Sequence, residues 1–391
     1  MSTLAELRSS RRANWIAGGA ALLFAIVFPL FFSPLNGFID RSVIALAYVV
    51  MALGLNVVVG FAGLLDLGYV AFYAIGAYSA GWFASDYFSG ANNKHGIHVL
   101  VQGKAAESSL SHTPTAGIHL NFLIVLVVAV CLTALAGMII GLPTLRLRGD
   151  YIAIVTLAFG EIIRVFAVNG DTIKIASGAT LTGGRQGITP VDQLKLPFLD
   201  PFTQLNLRPW YWLVLVLVFI VLFVVIRLRD SRLGRAWIAI REDEVAAASM
   251  GVPLVKTKLL AYTVGGAIGG VSGAFLAAYL NTVNADQFAF SFSIFVLAMI
   301  ILGGLGSIWG VVLGAIVLSF VNNRLIPDVL DSVPGKLGLS FNLTDLGFGI
   351  FGFLLVIVMV LRPEGLLPER RRQIELTEGV GTDESVYEVR V

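Results

Sequence analysis

Apolar runs close to the length of a membrane crossing alternate with short polar stretches along most of the chain. They fall at roughly 14–32, 42–62, 69–84, 122–141, 151–168, 210–226, 259–279, 290–305, 307–323 and 345–361. A helix needs about 20 apolar residues to cross a ~30 Å hydrocarbon core. Backbone groups left unpaired in lipid are costly, so interiors this apolar read as helices rather than open sheet. The pattern predicts an all-α polytopic membrane protein with about ten transmembrane helices. The run from Trp15 to Phe32 follows Arg8, Arg11 and Arg12, yet it is long for a signal sequence and no small-residue cleavage site closes it. It reads as a retained first span. The organisation expected is an N-terminal segment 1–13, a membrane domain 14–368 with one substantial loop at 227–258, and a charged tail 369–391. The tail lacks apolar periodicity and is expected to be disordered.

Composition supports this division. Of 391 residues, 57% are hydrophobic and 13% charged, against roughly 25% charged in soluble domains, which excludes a water-soluble globule. A net charge of +2 is too small to point to nucleic acid; where the basic residues lie matters more. With the N-terminus inside, the inside segments hold 17 Lys and Arg residues and the outside segments 9, with Arg164 inside a span. The bias predicts both termini inside and an even number of spans. The lone Cys131 cannot form an intrachain disulfide, and no Cys/His spacing fits zinc. The outside segments are expected at about 85–121 and 169–209. The first holds His95, His98, His112 and His119 at spacings that match no common metal motif, and is expected to be a solvated, poorly ordered loop.

Glycine is abundant, at 42 residues. Gly265, Gly266, Gly269, Gly270 and Gly273 place a small-residue face on one span, the pattern that lets membrane helices approach closely. Two further clusters interrupt helices: Gly60, Gly63 and Gly68 in GFAGLLDLG, and Gly303, Gly304, Gly306 and Gly310 in GGLGSIWG. Paired breaks of this kind mark the lining of a transport path. Ionisable residues within spans are few. Asp66 lies in the first break, and Glu161 and Arg164 share a helical face about 15 Å from the inner end of their span. The pair reads either as a polar part of the path or as two charges that neutralise each other and lock packing.

The inside loop reads RLRDSRLGRAWIAIREDEVAAASMGVPLVKTK. Helical spacing from Leu233 to Met250 puts Leu233, Trp237, Ile240, Val245 and Ala248 on one face, and Gly251 followed by Pro253 ends the helix. This helix presents Arg241, Glu242, Asp243 and Glu244 to the inside. It reads either as a contact for a soluble partner or as a helix lying on the membrane. Neither Gly103-Lys104 nor Gly335-Lys336 has the remainder of a phosphate-binding loop, so the chain is expected to be no ATPase and to bind no cofactor itself. Two other classes stand as alternatives at this point: a membrane-embedded enzyme, for which the spans offer only Asp66 and Glu161 as acid/base groups, and an ion-coupled transporter with Glu161 as proton site.

Four segments, GLNVVVGFAGLLDLGYVAFYAIGAY (54–78), LPTLRLRGDYIAIVTLAFGEIIR (142–164), LGRAWIAIREDEVAAASMG (233–251) and RPEGLLP (362–368), resemble the LivM-type permease of bacterial branched-chain amino acid ABC importers. The likeness runs from about residue 40 to 368. The segment TGGRQGI (182–188) departs from the family pattern at Arg185 and Gln186. The resemblance implies an ABC importer permease fold in the inner membrane. It also implies four kinds of association: a second, homologous permease subunit, two ATPase subunits that use ATP, a periplasmic substrate-binding protein, and a small-molecule substrate. The substrate it implies is a branched-chain or other neutral amino acid, with urea and small amides as the alternative. Residues 235–251, including Arg235, Arg241, Glu242, Asp243, Glu244 and Gly251, would then form the helix that docks on the ATPase. A zwitterion needs donors and acceptors but little net charge, which fits a path built from Asn56, Gly60, Gly63, Asp66, Tyr69, Tyr73 and Thr156, with Glu161 and Arg164.

Overall fold

The computed structural model describes residues 23–89, 96–99, 107–108, 111–114, 117–144, 147, 151–175, 180–192, 194, 202–203, 205–330, 349, 352–353, 356–357, 360 and 365–367. The segments 1–13 and 369–391, and much of the expected spans 14–32 and 345–361, lie outside the described residues. The described part is mostly helical. In chain order its helices are α1 (Gly37–Asn56, continued by a π-helical turn Val57–Phe61), α2 (Val70–Phe83), α3 (Phe122–Thr144), α4 (Tyr151–Asn169), α5 (Arg208–Asp230), α6 (Arg232–Glu242), α7 (Glu244–Ser249), α8 (Leu254–Leu280), α9 (Phe290–Gly303) and α10 (Ile308–Phe320).

Six helices among the described residues are long and apolar enough to cross a membrane: α1 with its π turn, α3, α4, α5, α8, and α10 extended to Leu325. Helices α2 and α9 have 14 residues each, about 21 Å of helix, short of a ~30 Å core. Each adjoins one of the two glycine clusters.

Helices α1 and α8 form the centre. Of their apolar windows 83% and 72% are buried, against 28% for both α3 and α4. The small-residue face of α8 is the reason. A Cβ on Gly266 would meet the Phe72 ring at 2.9 Å and the Thr133 carbonyl at 3.0 Å, and one on Gly273 would lie 2.2 Å from the Tyr73 carbonyl. Gly76 of α2 reaches the α8 backbone, where a Cβ would stand 2.4 Å from the Gly270 carbonyl. Close approach of this kind gives van der Waals packing that lipid cannot match.

Two expectations change. The 85–121 segment is not a plain solvated loop. Strands β1 (Ala84–Ser85), β2 (Gly96–Val99) and β5 (Gly117–Leu120) form a small sheet in the order β1-β5-β2, and β3 (Glu107–Ser108) pairs with β4 (Ser111–Pro114). His119 is buried there. Its Nδ1 lies 2.7 Å from Asp192 Oδ2 and its Nε2 3.2 Å from Asp86 Oδ1, so the ring joins the 85–121 segment to the stretch after α4. The carboxylates sit on opposite edges of the imidazole and do not converge, and among the described residues no group of three or more such side chains could hold a metal.

The second change is in the loop 227–258. The single helix expected from Leu233 to Met250 is interrupted at Asp243, whose backbone is extended (φ −153°, ψ 112°) and whose carboxylate accepts from the amides of Val245 and Ala246 at 2.8 and 2.9 Å. An aspartate is a strong N-cap, and here it restarts the helix as α7. The restart rotates the face: Trp237, Ile240 and Ala247 are buried, whereas Leu233, Val245 and Ala248 are exposed. Gly251, at φ +83°, closes α7 in the conformation glycine tolerates best.

Candidate functional site

The first break begins where α1 passes into its π turn. The Ala62 amide bonds the Val57 carbonyl at 3.3 Å and the Leu64 amide the Val58 carbonyl at 3.1 Å, after which the chain leaves the helix. Freed backbone groups in a membrane bundle need partners, and side chains supply them. The Asp66 carboxylate accepts the Gly68 amide at 2.8 Å, Thr156 Oγ1 of α4 accepts the Leu67 amide at 3.0 Å, and Ser293 Oγ of α9 accepts the Val70 amide at 3.1 Å. Tyr69 Oη donates to the Gly265 carbonyl at 2.7 Å, joining the break to α8. Glycine at 68 is obligatory: a Cβ there would lie 1.8 Å from the Thr156 carbonyl oxygen.

The second break, Gly304 to Ser307, lies between α9 and α10. The Gly304 amide returns to the Ile300 carbonyl at 2.9 Å, and Ser307 caps α10 by accepting the Gly310 amide at 3.1 Å. Residues 365–367 of the RPEGLLP segment lie on this break. The Leu366 and Leu367 amides donate to the carbonyls of Leu302 and Gly303 at 2.8 and 3.1 Å.

The two breaks meet. Asn56, fully buried at the end of α1, accepts the Gly306 amide on its Oδ1 at 3.1 Å, and a Cβ on Gly60 would stand 2.8 Å from that same amide nitrogen. Asn56 Nδ2 and Asp66 Oδ2 are buried without hydrogen-bond partners. Asn56 therefore leaves one unfilled donor where the breaks meet and Asp66 one unfilled acceptor within the first break, the two kinds of group that a carboxylate and an ammonium call for.

The loop helices α6 and α7 sit at this same end of the bundle. Arg241 Nη1 donates to the Gly60 carbonyl at 2.5 Å. Trp237 Nε1 donates to the Thr257 carbonyl at 2.7 Å, and Lys258 Nζ meets Glu244 Oε1 at 2.6 Å, which ties both loop helices to the start of α8. Arg241 and Glu244 thus turn toward the bundle, while Arg235, Glu242, Asp243 and Gly251 stay exposed beside Val245 and Met250.

Of the residues singled out from sequence, Asn56, Gly60, Gly63, Asp66, Tyr69 and Thr156 come together at the breaks. Tyr73 does not: it lies buried further along α2 among the rings of Phe288 and Phe292, at centroid distances of 5.5 and 5.3 Å. Glu161 and Arg164 form an ion pair, Nε to Oε2 at 2.9 Å, with side chains 36% and 37% exposed. Five residues separate Glu161 from Thr156, about 140° around the helix, so the Glu161 carboxylate leaves α4 on a different side from the Thr156 hydroxyl that bonds the first break. Helical spacing marks Trp237 as a face residue but not its bond to Thr257, while Ser293 and Lys258 have partners on other elements and nothing in their local spacing marks them.

A profile for the branched-chain amino acid transport system permease component matches residues 38–359. The chain is 36% identical over 385 residues to the high-affinity branched-chain amino acid transport system permease protein LivM of Escherichia coli (strain K12), covering 93% of this chain and 77% of that protein. To the probable branched-chain amino acid transport permease protein LivM of Methanocaldococcus jannaschii it is 27% identical over 335 residues, 83% of this chain and 91% of that protein. A shorter likeness, 29% over 156 residues, covers 40% of this chain and 46% of the Escherichia coli (strain K12) permease protein LivH. No solved structure matches the chain. The profile takes in both breaks, α4 and the loop helices that reach them, and the chain belongs to the branched-chain amino acid transport system permease family.

Proposed function

We propose that this chain is the membrane-spanning permease subunit of an ATP-driven importer that moves branched-chain or other neutral amino acids across the bacterial inner membrane. It works beside a second, homologous permease, two ATPase subunits that bind and hydrolyse the ATP, and a periplasmic binding protein that delivers substrate. The topology proposed is ten spans with both termini in the cytoplasm, resting on the charge bias of the connecting segments. The observation that carries the reading is the meeting of both helix breaks at the end of the bundle where α6 and α7 lie.

Alternating access needs an element that can take two arrangements and a partner that biases them. The breaks supply the first. The exposed side of α6 and α7, with Arg235, Glu242 and Asp243 around Val245 and Met250, supplies a docking face for the ATPase. The path proposed runs past Asn56, Gly60, Gly63, Asp66, Tyr69 and Thr156, where buried polar atoms without partners can take up the charged ends of a zwitterion. Tyr73, packed on Phe288 and Phe292 further along α2, is proposed to border the path, and the Glu161–Arg164 pair to neutralise itself on α4.

The test is reconstitution of the complete complex in liposomes with ATP on the side of the ATPase subunits. Labelled leucine should accumulate only with ATP and the loaded binding protein, and unlabelled leucine, proline or alanine should compete. Uptake that follows a proton gradient without ATP would overturn the importer reading, and competition by urea but not leucine would overturn the substrate.

A further inference from the structure

We propose that Arg241 is the positioning residue that transmits movement of the docked loop helices to the path, by holding the first break through the Gly60 peptide. This rests on the reading of α6 and α7 as the ATPase docking element. It assigns Arg241 to the opposite side of that element, away from the partner.

The Gly60 carbonyl belongs to the π turn at the foot of α1, where the helix stops and the next amides bond Val57 and Val58 instead. It needs an acceptor's partner from elsewhere, and Arg241 Nη1 donates to it at 2.5 Å. The rest of the arginine lies flat on the same break. A Cβ on Gly63, which sits at φ +70°, would stand 2.8 Å from Arg241 Cγ and 3.1 Å from Arg241 Cβ. On its other side Gly60 has no room either: a Cβ there would stand 2.8 Å from the Gly306 amide nitrogen. The peptide that Arg241 grips is therefore clamped between α6 and the second break, and Asn56 joins the two breaks directly behind it.

The far end of the lever is fixed as well. Lys258 with Glu244 and Trp237 with Thr257 bind α6 and α7 to the start of α8, while Val245 and Met250 point outward at 71% and 85% exposure. A push on the outward side must reach the breaks through groups that cross from α6, and Arg241 crosses. An arginine suits the task because its stem packs along the glycines while its planar head donates to a main-chain oxygen; lysine offers only a point donor.

The experiment uses the full complex in liposomes, with variants R241Q, R241K and V245D. Three quantities are read: ATPase subunit recovered per permease, basal hydrolysis, and the stimulation of hydrolysis and uptake by loaded binding protein. R241Q should keep assembly and basal hydrolysis and lose about tenfold in stimulation and uptake, the scale of a coupling between two sites, with R241K in between. V245D should lose assembly. If V245D assembles fully, the docking reading fails, and the R241Q stimulation still decides the role of Arg241. Stimulation in R241Q within about twofold of the parent, or loss of the ATPase subunit in parallel with V245D, overturns the proposal. If R241Q does not accumulate, R241K decides: a loss of about threefold or more with intact assembly supports it, and unchanged coupling overturns it.

Discussion

The first break, residues 57–69, is held by side chains arriving from α4, α6 and α9, whereas the second, residues 304–307, combines main-chain bonds with a single side chain arriving from another element, Asn56 of α1 on the Gly306 amide. Thr156, Ser293 and Arg241 bond the first, and Asp66 and Tyr69 tie its own side chains to backbone. In the second, the Leu366 and Leu367 amides donate to the carbonyls of Leu302 and Gly303 at its entry, and Ser307 caps the helix that follows. Both answer the same requirement, that backbone groups freed inside a bundle be paired. The difference lies in what can be altered. A break held by separate side chains can be rearranged one contact at a time, while one held by main chain moves as a block. That is why the mobile element of the proposed cycle is placed at the first break.

The largest effect expected is common to both. G68V would drive a side chain into the Thr156 carbonyl, 1.8 Å from the Cβ position, and G303V into the Gly310 carbonyl at 2.2 Å. Overpacking against backbone costs several kcal/mol, so neither variant should yield permease that survives detergent extraction and size-exclusion chromatography. A stable G68V would mean that the first break and α4 are less closely packed than described.

Next comes a control that lies on neither break. Replacing Glu161 or Arg164 alone leaves one charge on a span, at a cost of about 2.5–3.5 kcal/mol on insertion scales, whereas E161L/R164L removes both. The double variant should retain more permease in the membrane and more uptake than either single one. If it is worse, the pair acts in transport rather than in neutralising itself.

Smaller effects separate the breaks. N56L leaves the buried Gly306 amide without its acceptor and should lower stability by about 1–3 kcal/mol, read as a drop in thermal midpoint of the purified chain. Because this side chain joins the breaks, uptake should fall with it. S307A removes only a helix cap within the second break and should cost about 1 kcal/mol with uptake nearly unchanged. Equal loss of uptake in N56L and S307A would erase the distinction between a rearranging break and a fixed one.

The sequence by itself determined the class of molecule. Apolar length and the need to pair every backbone group leave helices as the solution, and the small-residue face of α8 and the two glycine clusters are local patterns that survive intact in the fold. The i,i+3 spacing of Glu161 and Arg164 was likewise sufficient to foresee their pairing, since both lie on one helix. Tertiary structure decided everything that joins distant segments. That Asn56 reaches Gly306, 250 residues on, that Arg241 turns inward to Gly60 while Val245 turns out, and that His119 sits buried between Asp86 and Asp192 depend on how helices rotate and cross. Periodicity gives the face of one helix relative to itself. It carries no record of which neighbour that face meets, and a single capping aspartate at 243 was enough to rotate the face expected for the loop helix.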